Sequence, residues 1–390
     1  LKILLFTNSL AGGGTERVAA TLANYWAAHR GWEVTVVTLA STADDFYVLE
    51  PGVRRIALDL AGESSNAVKA AWQNLRRILA LRRAIRRASP NIALAMMSTP
   101  NVLLAFASRG IAGLGTVGSE HCYPPHAPLG ALWTRLRRHA YGRLSAVAAL
   151  TSECAQWIET HTSANYVPVI PNPVVWPLPE QTPRIAPDAL CARARRVLLA
   201  VGRLNAVKNY GTLIEVFSRL VDKYPTWDLV ILGEGPERPA LEAAVRAHKL
   251  EERVRLPGIA GNVGEWHARS DLYVLSSESE GFPNALAEAL CQGLPAVSFD
   301  CDTGPRDIIR HGIDGLLAAA QDGTALEQAL DRLMGDDNLR QEFAVKAVDA
   351  RQRFHIDRIT GMWEALFREL ADAHLAAGLA GDMARERRLG

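Results

Sequence analysis

Eight short apolar runs alternate with stretches of helical pattern along this 390-residue chain. They read KILLFTN, EVTVVTL, IALAMM, AVAALT, RVLLAVG, DLVILG, DLYVLSS and PAVSF. Runs that are apolar throughout, rather than alternating, mark parallel strands covered by helices on both faces. Between them lie amphipathic stretches. From Thr15, the residues Val18, Leu22, Tyr25 and Trp26 recur at helix spacing. From Asn66, the residues Val68, Trp72, Leu75, Ile78 and Leu79 make one stripe, with Arg76, Arg83 and Arg87 expected on the opposite side. The alternation predicts an α/β protein with doubly wound, Rossmann-like sheets. Helical pattern returns at 325–334, 338–350 and 357–376, and the tail 377–390 is expected to fray.

The chain is too long for one ordinary core. A break falls after Val167, where seven prolines (168, 171, 173, 177, 179, 183 and 187) rule out both helix and central strand. The expected division is a first domain over 1–175, a stiff linker over 176–189 and a second domain over 190–356, with a cleft between the domains. The opening LKILLFTNSL has an apolar run shorter than the roughly 7–15 residues of a signal peptide and reads as a buried strand. Residues 92–118 are nearly uncharged, but Pro100, Asn101 and Arg109 interrupt them short of the ~20 residues a membrane span needs. They read as strand, helix, strand. The five cysteines form no CxxC pair, which argues against a disulfide framework or zinc site and suits a reducing cytoplasm.

The net charge of +1 conceals an asymmetry. Residues 1–152 hold 17 Lys and Arg against 8 Asp and Glu, and the remainder holds 26 against 34. Between Ser64 and Ser152, Glu120 is the single acid among twelve bases. Such a surplus attracts anionic partners at long range, although one arginine-rich helix alone would be an ordinary solvated face.

Three stretches could carry chemistry. SLAGGGTERV, residues 9–18, follows a strand and opens a helix, where free N–H groups favour an anion. Arg17 stands where a dinucleotide fingerprint needs its third glycine and no GKS or GKT follows, so a plain tight turn competes with phosphate binding. VGRLNAVKNY, residues 201–210, puts Arg203 and Lys208 just past a strand end, where they could clamp a diphosphate or simply face solvent. ESEGFPNALAEAL, residues 278–290, sets Glu280 in a loop and Glu288 one turn into a helix that Asn284 can cap and Gly293 can close. A carboxylate there can accept two hydrogen bonds from a ribose, leaving Glu280 for a sugar hydroxyl or for charge developing at a reacting carbon. Gly281 permits close approach, and the N–H groups around 282–285 would face a ligand. The plain alternative is a solvated helix acid and a loop acid.

In order and spacing these stretches resemble the E-x7-E retaining glycosyltransferases of the GT-B architecture, family 4. The similarity runs through GGGTER, VIPNPV, VGRLNAVKN, ILGEGPERPALE, RVRLPG, ESEGFPNALAEAL and GIDGLL, and so covers nearly the whole chain. The resemblance implies two Rossmann-like domains facing across a cleft, with the helix 357–376 returning to the first. It implies that Arg203 and Lys208 bind the donor diphosphate, Glu288 the ribose and Glu280 the donor sugar, with Gly258, Gly281, Phe282, Pro283 and Asn284 also in the donor site. Gly13 and Gly14 would let the N-terminal loop close over the diphosphate, and His121 in GSEHCYPPH would lie near the reacting centre. Catalytic roles would fall to Glu280, His121, Arg203 and Lys208. A packed or exposed loop histidine is the alternative for His121, and the spacing of His121, Cys122 and His126 suits a metal poorly. DCD, residues 300–302, matches a DxD metal motif of another glycosyltransferase architecture. Here it reads instead as a loop lining the donor-sugar pocket, with no metal or other cofactor required and the nucleotide sugar acting as a substrate.

The expected reaction is retaining transfer of a hexose or N-acetylhexosamine from a nucleotide sugar, UDP before GDP, to a lipid-linked or surface-glycan acceptor. Arg76, Arg83 and Arg87 on one helix, with Arg135, Arg137 and Arg138 on another segment, suit the acceptor or an anionic membrane surface. That places the protein in the cytoplasm, peripheral on the inner face of the plasma membrane, with no nucleic-acid partner. Two alternatives remain: a non-catalytic nucleotide-sugar-binding homologue, and a sugar-nucleotide epimerase on the same architecture. The complete Arg, Lys and E-x7-E set counts against both. A nicotinamide dehydrogenase would need an acid after the second strand, which ends TLAST.

Overall fold

A computed structural model describes residues 1–62 and 66–389, with side chains as far as Asp372 except that of Ala67. The chain divides into two compact units: residues 1–171 with 359–390, and residues 172–358. Each is built on a parallel six-stranded sheet. In the first, Lys2–Thr7 (β1), Glu33–Thr38 (β2), Val53–Ala57 (β3), Ile92–Met96 (β4), Gly115–Glu120 (β5) and Ala146–Ala149 (β6) lie in the order β3-β2-β1-β4-β5-β6. In the second, Arg196–Val201 (β7), Trp227–Leu232 (β8), Val254–Gly258 (β9), Leu272–Leu275 (β10), Ala296–Asp300 (β11) and Gly315–Ala319 (β12) lie in the order β12-β11-β10-β7-β8-β9.

All eight apolar runs lie in strands, and Ser98–Ala107 is the helix between β4 and β5. Their side chains form the two cores. Leu4, Phe6, Val37, Ala93 and Val147 pack against Val102, Leu103 and Ile158 in the first unit. Leu198, Leu229, Ile231 and Val297 pack against Leu213, Phe217 and Leu330 in the second. In both sheets the chain starts in the middle, winds outward one way, and then returns to wind the other way. The crevices where the order reverses lie between β1 and β4 and between β7 and β10, at the carboxyl ends of the strands. Ligands of open α/β sheets bind at such points.

The last helix, Ile356–Leu389, joins the first unit from Ile359 onward. Phe367 is fully buried there, edge-on to Trp26 at 5.5 Å, and Glu364 pairs with Arg30 at 2.8 Å. The backbone stays helical through 377–389, where the sequence reading expects fraying; the Ala-, Leu-, Glu- and Arg-rich composition favours helix without an apolar stripe. Gly390 lies outside the described residues.

The proline-rich segment is not a free linker. The unit boundary falls at Pro171/Asn172, before the expected 175, and residues 176–189 belong to the second unit. Gln181 N donates to Gly261 O, and Asn262 and Trp266 both donate to Ile185 O. Gly261 is required for this approach: a Cβ there would lie 2.1 Å from Gln181 O.

The helix Ala67–Ala88 also departs from expectation. Asn66 caps it by accepting from Lys69 N, and Leu81, Ala84 and Ile85 face the core. The stripe Val68, Trp72, Leu75 and Leu79 instead faces solvent, alongside Arg76, Arg83 and Arg87 rather than opposite them. The helix has two apolar faces, and periodicity does not say which one meets the sheet. No helix among the described residues is long and apolar enough to cross a membrane.

Candidate active site

The second unit brings the predicted donor residues to the β7/β10 crevice. The chain leaves β7 through Gly202, Arg203 and a 3-10 turn at Ala206–Lys208, then enters the helix Tyr210–Leu220. The chain leaves β10 through Ser276, Ser277 and Glu280. Because the two strands are neighbours, the loops tie together: Glu278 N donates to Val207 O at 2.8 Å, and Ser276 Oγ to Lys208 O at 2.8 Å. Lys208 Nζ thereby reaches Glu280 Oε1 at 2.5 Å, with the side chains 20% and 12% exposed. Ser277 Oγ donates to the same carboxylate oxygen at 2.6 Å. Gly202 makes room: a Cβ there would sit 2.7 Å from the Tyr210 hydroxyl and 3.0 Å from Lys208 Cε. Arg203 is exposed on the same loop, and no ion pair of its guanidinium is found among the described residues.

The E-x7-E stretch supplies the helix Asn284–Gln292. Its cap differs from expectation. Pro283 holds the N-cap position, Asn284 is the first helical residue, and the Asn284 side chain accepts from Asn172 Nδ2 at 3.0 Å instead of capping. Gly293 closes the helix at φ 85°. Phe282 is buried edge-on against Phe354 at 5.6 Å, and Pro283 is buried and has no N–H. Pro283 therefore removes one backbone donor from the 282–285 stretch that the sequence reading turns towards a ligand. Gly281 is half-buried in the turn. Glu288 is 6% exposed on the buried face of the helix, so it is not the solvated acid of the plain alternative. Gly258 ends β9 at φ 99°, but β8 separates its strand from β7.

The loop after β11 leans on the Glu280 turn. Thr303 Oγ1 donates to Glu280 O, and a Cβ on Gly304, at φ 98°, would lie 2.6 Å from Pro283 Cδ. Within DCD, Asp300 pairs with Arg306 at 2.9 Å, and burial pushes the Cys301 thiol up to about 12, so it stays protonated and unreactive. No group of three His, Cys, Asp or Glu that could hold a metal is found among the described residues.

In the first unit, the β1/β4 crevice carries the glycine turn. The helix Gly14–Arg30 starts there with Gly13 as N-cap in extended backbone. Glu16 folds back so closely that a Cβ on Gly13 would sit 2.2 Å from its Oε2. A carboxylate of the chain itself thus matches the helix N-terminus. Met97, after β4, has φ 83°, a strained conformation for a residue with a side chain, and its Sδ contacts Thr15 Oγ1 at 3.5 Å. His121 follows β5. It is buried, its Nε2 lies 3.1 Å from Ser119 Oγ, and burial lowers its pKa to about 4, so the ring is neutral at pH 7. Behind it, Glu120 is buried and accepts from Tyr141 at 2.5 Å and Ser98 at 2.7 Å; burial raises its pKa and these hydrogen bonds oppose the rise.

Arg135 and Arg138 are exposed on the helix Ala131–Ala140, but Arg137 is not a surface base. It is 3% exposed and lies 4.7 Å over the Trp157 ring. The sequence reading misses Ser277, Thr303, Asn172, Ser119 and the Glu120 network. Ser277, Asn172, Ser119 and Glu120 stand inside or beside stretches already singled out; Thr303 and the partners of Glu120 act across strands, which no local pattern reports.

Comparison with known proteins identifies the fold and the family. The family described as glycosyl transferases group 1 matches residues 185–349, and glycosyltransferase family 4 matches residues 12–175. An exopolysaccharide phosphotransferase of Streptomyces coelicolor is 31% identical over 80% of this chain, which spans only 32% of that longer protein. An α-1,4-N-acetyl-D-galactosaminyltransferase of Campylobacter jejuni, whose name specifies a GalNAc-containing diphospho-undecaprenol substrate, is 27% identical over 96% of this chain and 100% of its own. Among solved structures, sucrose-phosphate synthase of Thermosynechococcus elongatus superimposes with TM-score 0.81 at 18% identity, covering 96% of this chain and 100% of that one. HepE of Anabaena, in complex with UDP, gives 0.76 at 19% identity over 94% and 99%. With one family matching most of the first unit and the other most of the second, the chain belongs to the GT-B glycosyltransferases of group 1 and family 4.

Proposed function

We propose that the protein transfers a hexose or N-acetylhexosamine, with retention, from a nucleoside-diphosphate sugar to a lipid-linked or polysaccharide acceptor, and that the nucleotide is UDP. The observation that carries the reading is the Lys208–Glu280–Ser277 cluster at the β7/β10 crevice, with buried Glu288 on the helix that opens beside it. Lys208 and Arg203 take the diphosphate, Glu288 accepts from the ribose hydroxyls, and Glu280 faces the sugar. The bond from sugar C1 to the diphosphate oxygen breaks, and its electron pair leaves with the nucleoside diphosphate. The acceptor hydroxyl oxygen bonds to C1 on the same face, and its proton passes to the departing phosphate oxygen. The two cations stabilise the charge growing there, so the reaction asks for no metal. The acceptor class rests on the Campylobacter relative and the donor nucleotide on the UDP complex of the Anabaena neighbour.

A thermal-shift panel of UDP-, GDP- and ADP-sugars tests the donor, with UDP compounds expected to raise the melting temperature most. Glu288→Ala should weaken UDP roughly 10- to 100-fold through the loss of two hydrogen bonds to the ribose. Unchanged affinity for UDP in that variant would remove the ribose assignment. Tight UDP binding without transfer of sugar to any lipid-linked acceptor or water would favour the non-catalytic homologue.

A further inference from the structure

The helix Ala67–Ala88 turns a row of large apolar side chains to solvent. Val68 is 80% exposed, Trp72 63%, Leu75 46% and Leu79 44%. At about 100° per residue they fall within roughly 60° of arc and run about 16 Å along the axis. Lys69, Arg76, Arg83, Arg86 and Arg87 are exposed on or beside the same face, and the helix contains no acid. The helix is also held in place. Arg77 donates to Leu60 O and Gly62 O, and Arg82 to Ala107 O and Arg109 O, while Leu81 and Ile85 anchor it in the core.

An apolar row in water is unfavourable unless something covers it. A second copy of the chain suits it poorly. A two-fold contact would set this face against itself and bring the arginine edges together. A bilayer carrying anionic lipid matches both halves of the pattern: aliphatic and indole groups enter the headgroup–acyl boundary, and guanidinium groups meet lipid phosphates. The helix Ala131–Ala140, separated from this one by Ser98–Ala107, adds exposed Leu132, Arg135 and Arg138. We propose that the 67–88 helix is an interfacial membrane anchor, with Val68, Trp72, Leu75 and Leu79 inserted and Arg76, Arg83, Arg86 and Arg87 against an anionic headgroup layer. The anchoring is independent of the donor chemistry in the second unit.

Flotation with vesicles tests it. The wild type should float with phosphatidylglycerol-containing vesicles and stay behind with pure phosphatidylcholine. Arg83→Ser with Arg87→Ser should lower partitioning about 30-fold. Trp72→Ser with Leu79→Ser should lower it by more than about tenfold. Both double variants change exposed residues, so melting temperature and the thermal shift with UDP should match the wild type and show that folding is intact. Three results would overturn the proposal: a wild type that ignores anionic vesicles; loss of flotation in the arginine variant but not the apolar one, which is adsorption without insertion; or a lipid-indifferent dimer that Trp72→Ser dissociates, which gives the face to a second copy.

Discussion

Lys208 and Glu280 should respond to substitution with opposite signs in nucleotide binding. In the structure the ammonium and carboxylate lie 2.5 Å apart, and both side chains are mostly buried. Two unit charges about 4 Å apart attract by about 4 kcal/mol at the effective dielectric of such a site. Desolvation cancels much of that, leaving roughly 1–2 kcal/mol. A diphosphate on the Arg203–Lys208 loop competes with Glu280 for the same ammonium and must overcome that amount. Glu280→Gln removes the competitor while keeping the shape and the Ser277 contact. Affinity for UDP should then rise about 5- to 30-fold. Lys208→Ala removes a charge-assisted hydrogen bond of about 1.5–3 kcal/mol to phosphate, partly offset because no ion pair need be disturbed. Affinity should fall about 3- to 10-fold. Sugar transfer should fall in both, by about 100-fold, because under the proposed mechanism each variant loses a charge beside the reacting bond. Titration calorimetry with UDP and initial transfer rates measure the two quantities separately. If Glu280→Gln weakens UDP as much as Lys208→Ala does, the competition does not exist and the carboxylate binds the nucleotide some other way.

Two further perturbations address the surroundings of the site. Gly304→Ala places a Cβ 2.6 Å from Pro283 Cδ at φ 98°, so it should destabilise the protein by about 1–3 kcal/mol and lower the melting temperature; an unchanged melting temperature would show that the 300–304 loop does not hold the Glu280 turn. Burial keeps His121 neutral and lowers its pKa to about 4, against 6.5 for a solvated imidazole. Between those values the unfolded chain binds the extra proton, so this contribution is complete above pH 6.5 and is lost as the pH falls towards 4, at up to about 1.4 kcal/mol per unit. Denaturation across that range should show a shallower acid limb for His121→Gln than for wild type, with Glu120 common to both; equal limbs would mean that His121 is solvated.

The central strands were legible in the sequence because burial on both faces makes them apolar without interruption. Of the edge strands, β6 was, because its four residues are all buried, and β3 and β12 were not. β3 reads VRRIA and is half-exposed over most of its length, and β12 reads GLLAA and passes for a turn. An edge strand has one neighbour and less burial, so its composition carries less signal. The same limit applies to charge. Counting bases identifies a basic unit but cannot tell exposed Arg138 from Arg137, whose guanidinium lies over Trp157.

The candidate site was grouped in the sequence through its resemblance to the family pattern, not through periodicity. Residues 208 and 280 are 72 positions apart, and no periodicity links them. What links them is topology. The first strand of a doubly wound sheet becomes the neighbour of its fourth, so the loops leaving β7 and β10 must meet. In each folded sheet the polar residues directly after the first and fourth strands therefore share a crevice. In the first unit the same logic joins the turn at Gly13 to Met97, whose strained backbone the sequence does not announce. Partners that lie across strands rather than along them stayed hidden for the complementary reason: Glu120 meets Ser98 and Tyr141, and Thr303 meets the Glu280 turn, through the register of side chains, which the order of strands does not fix.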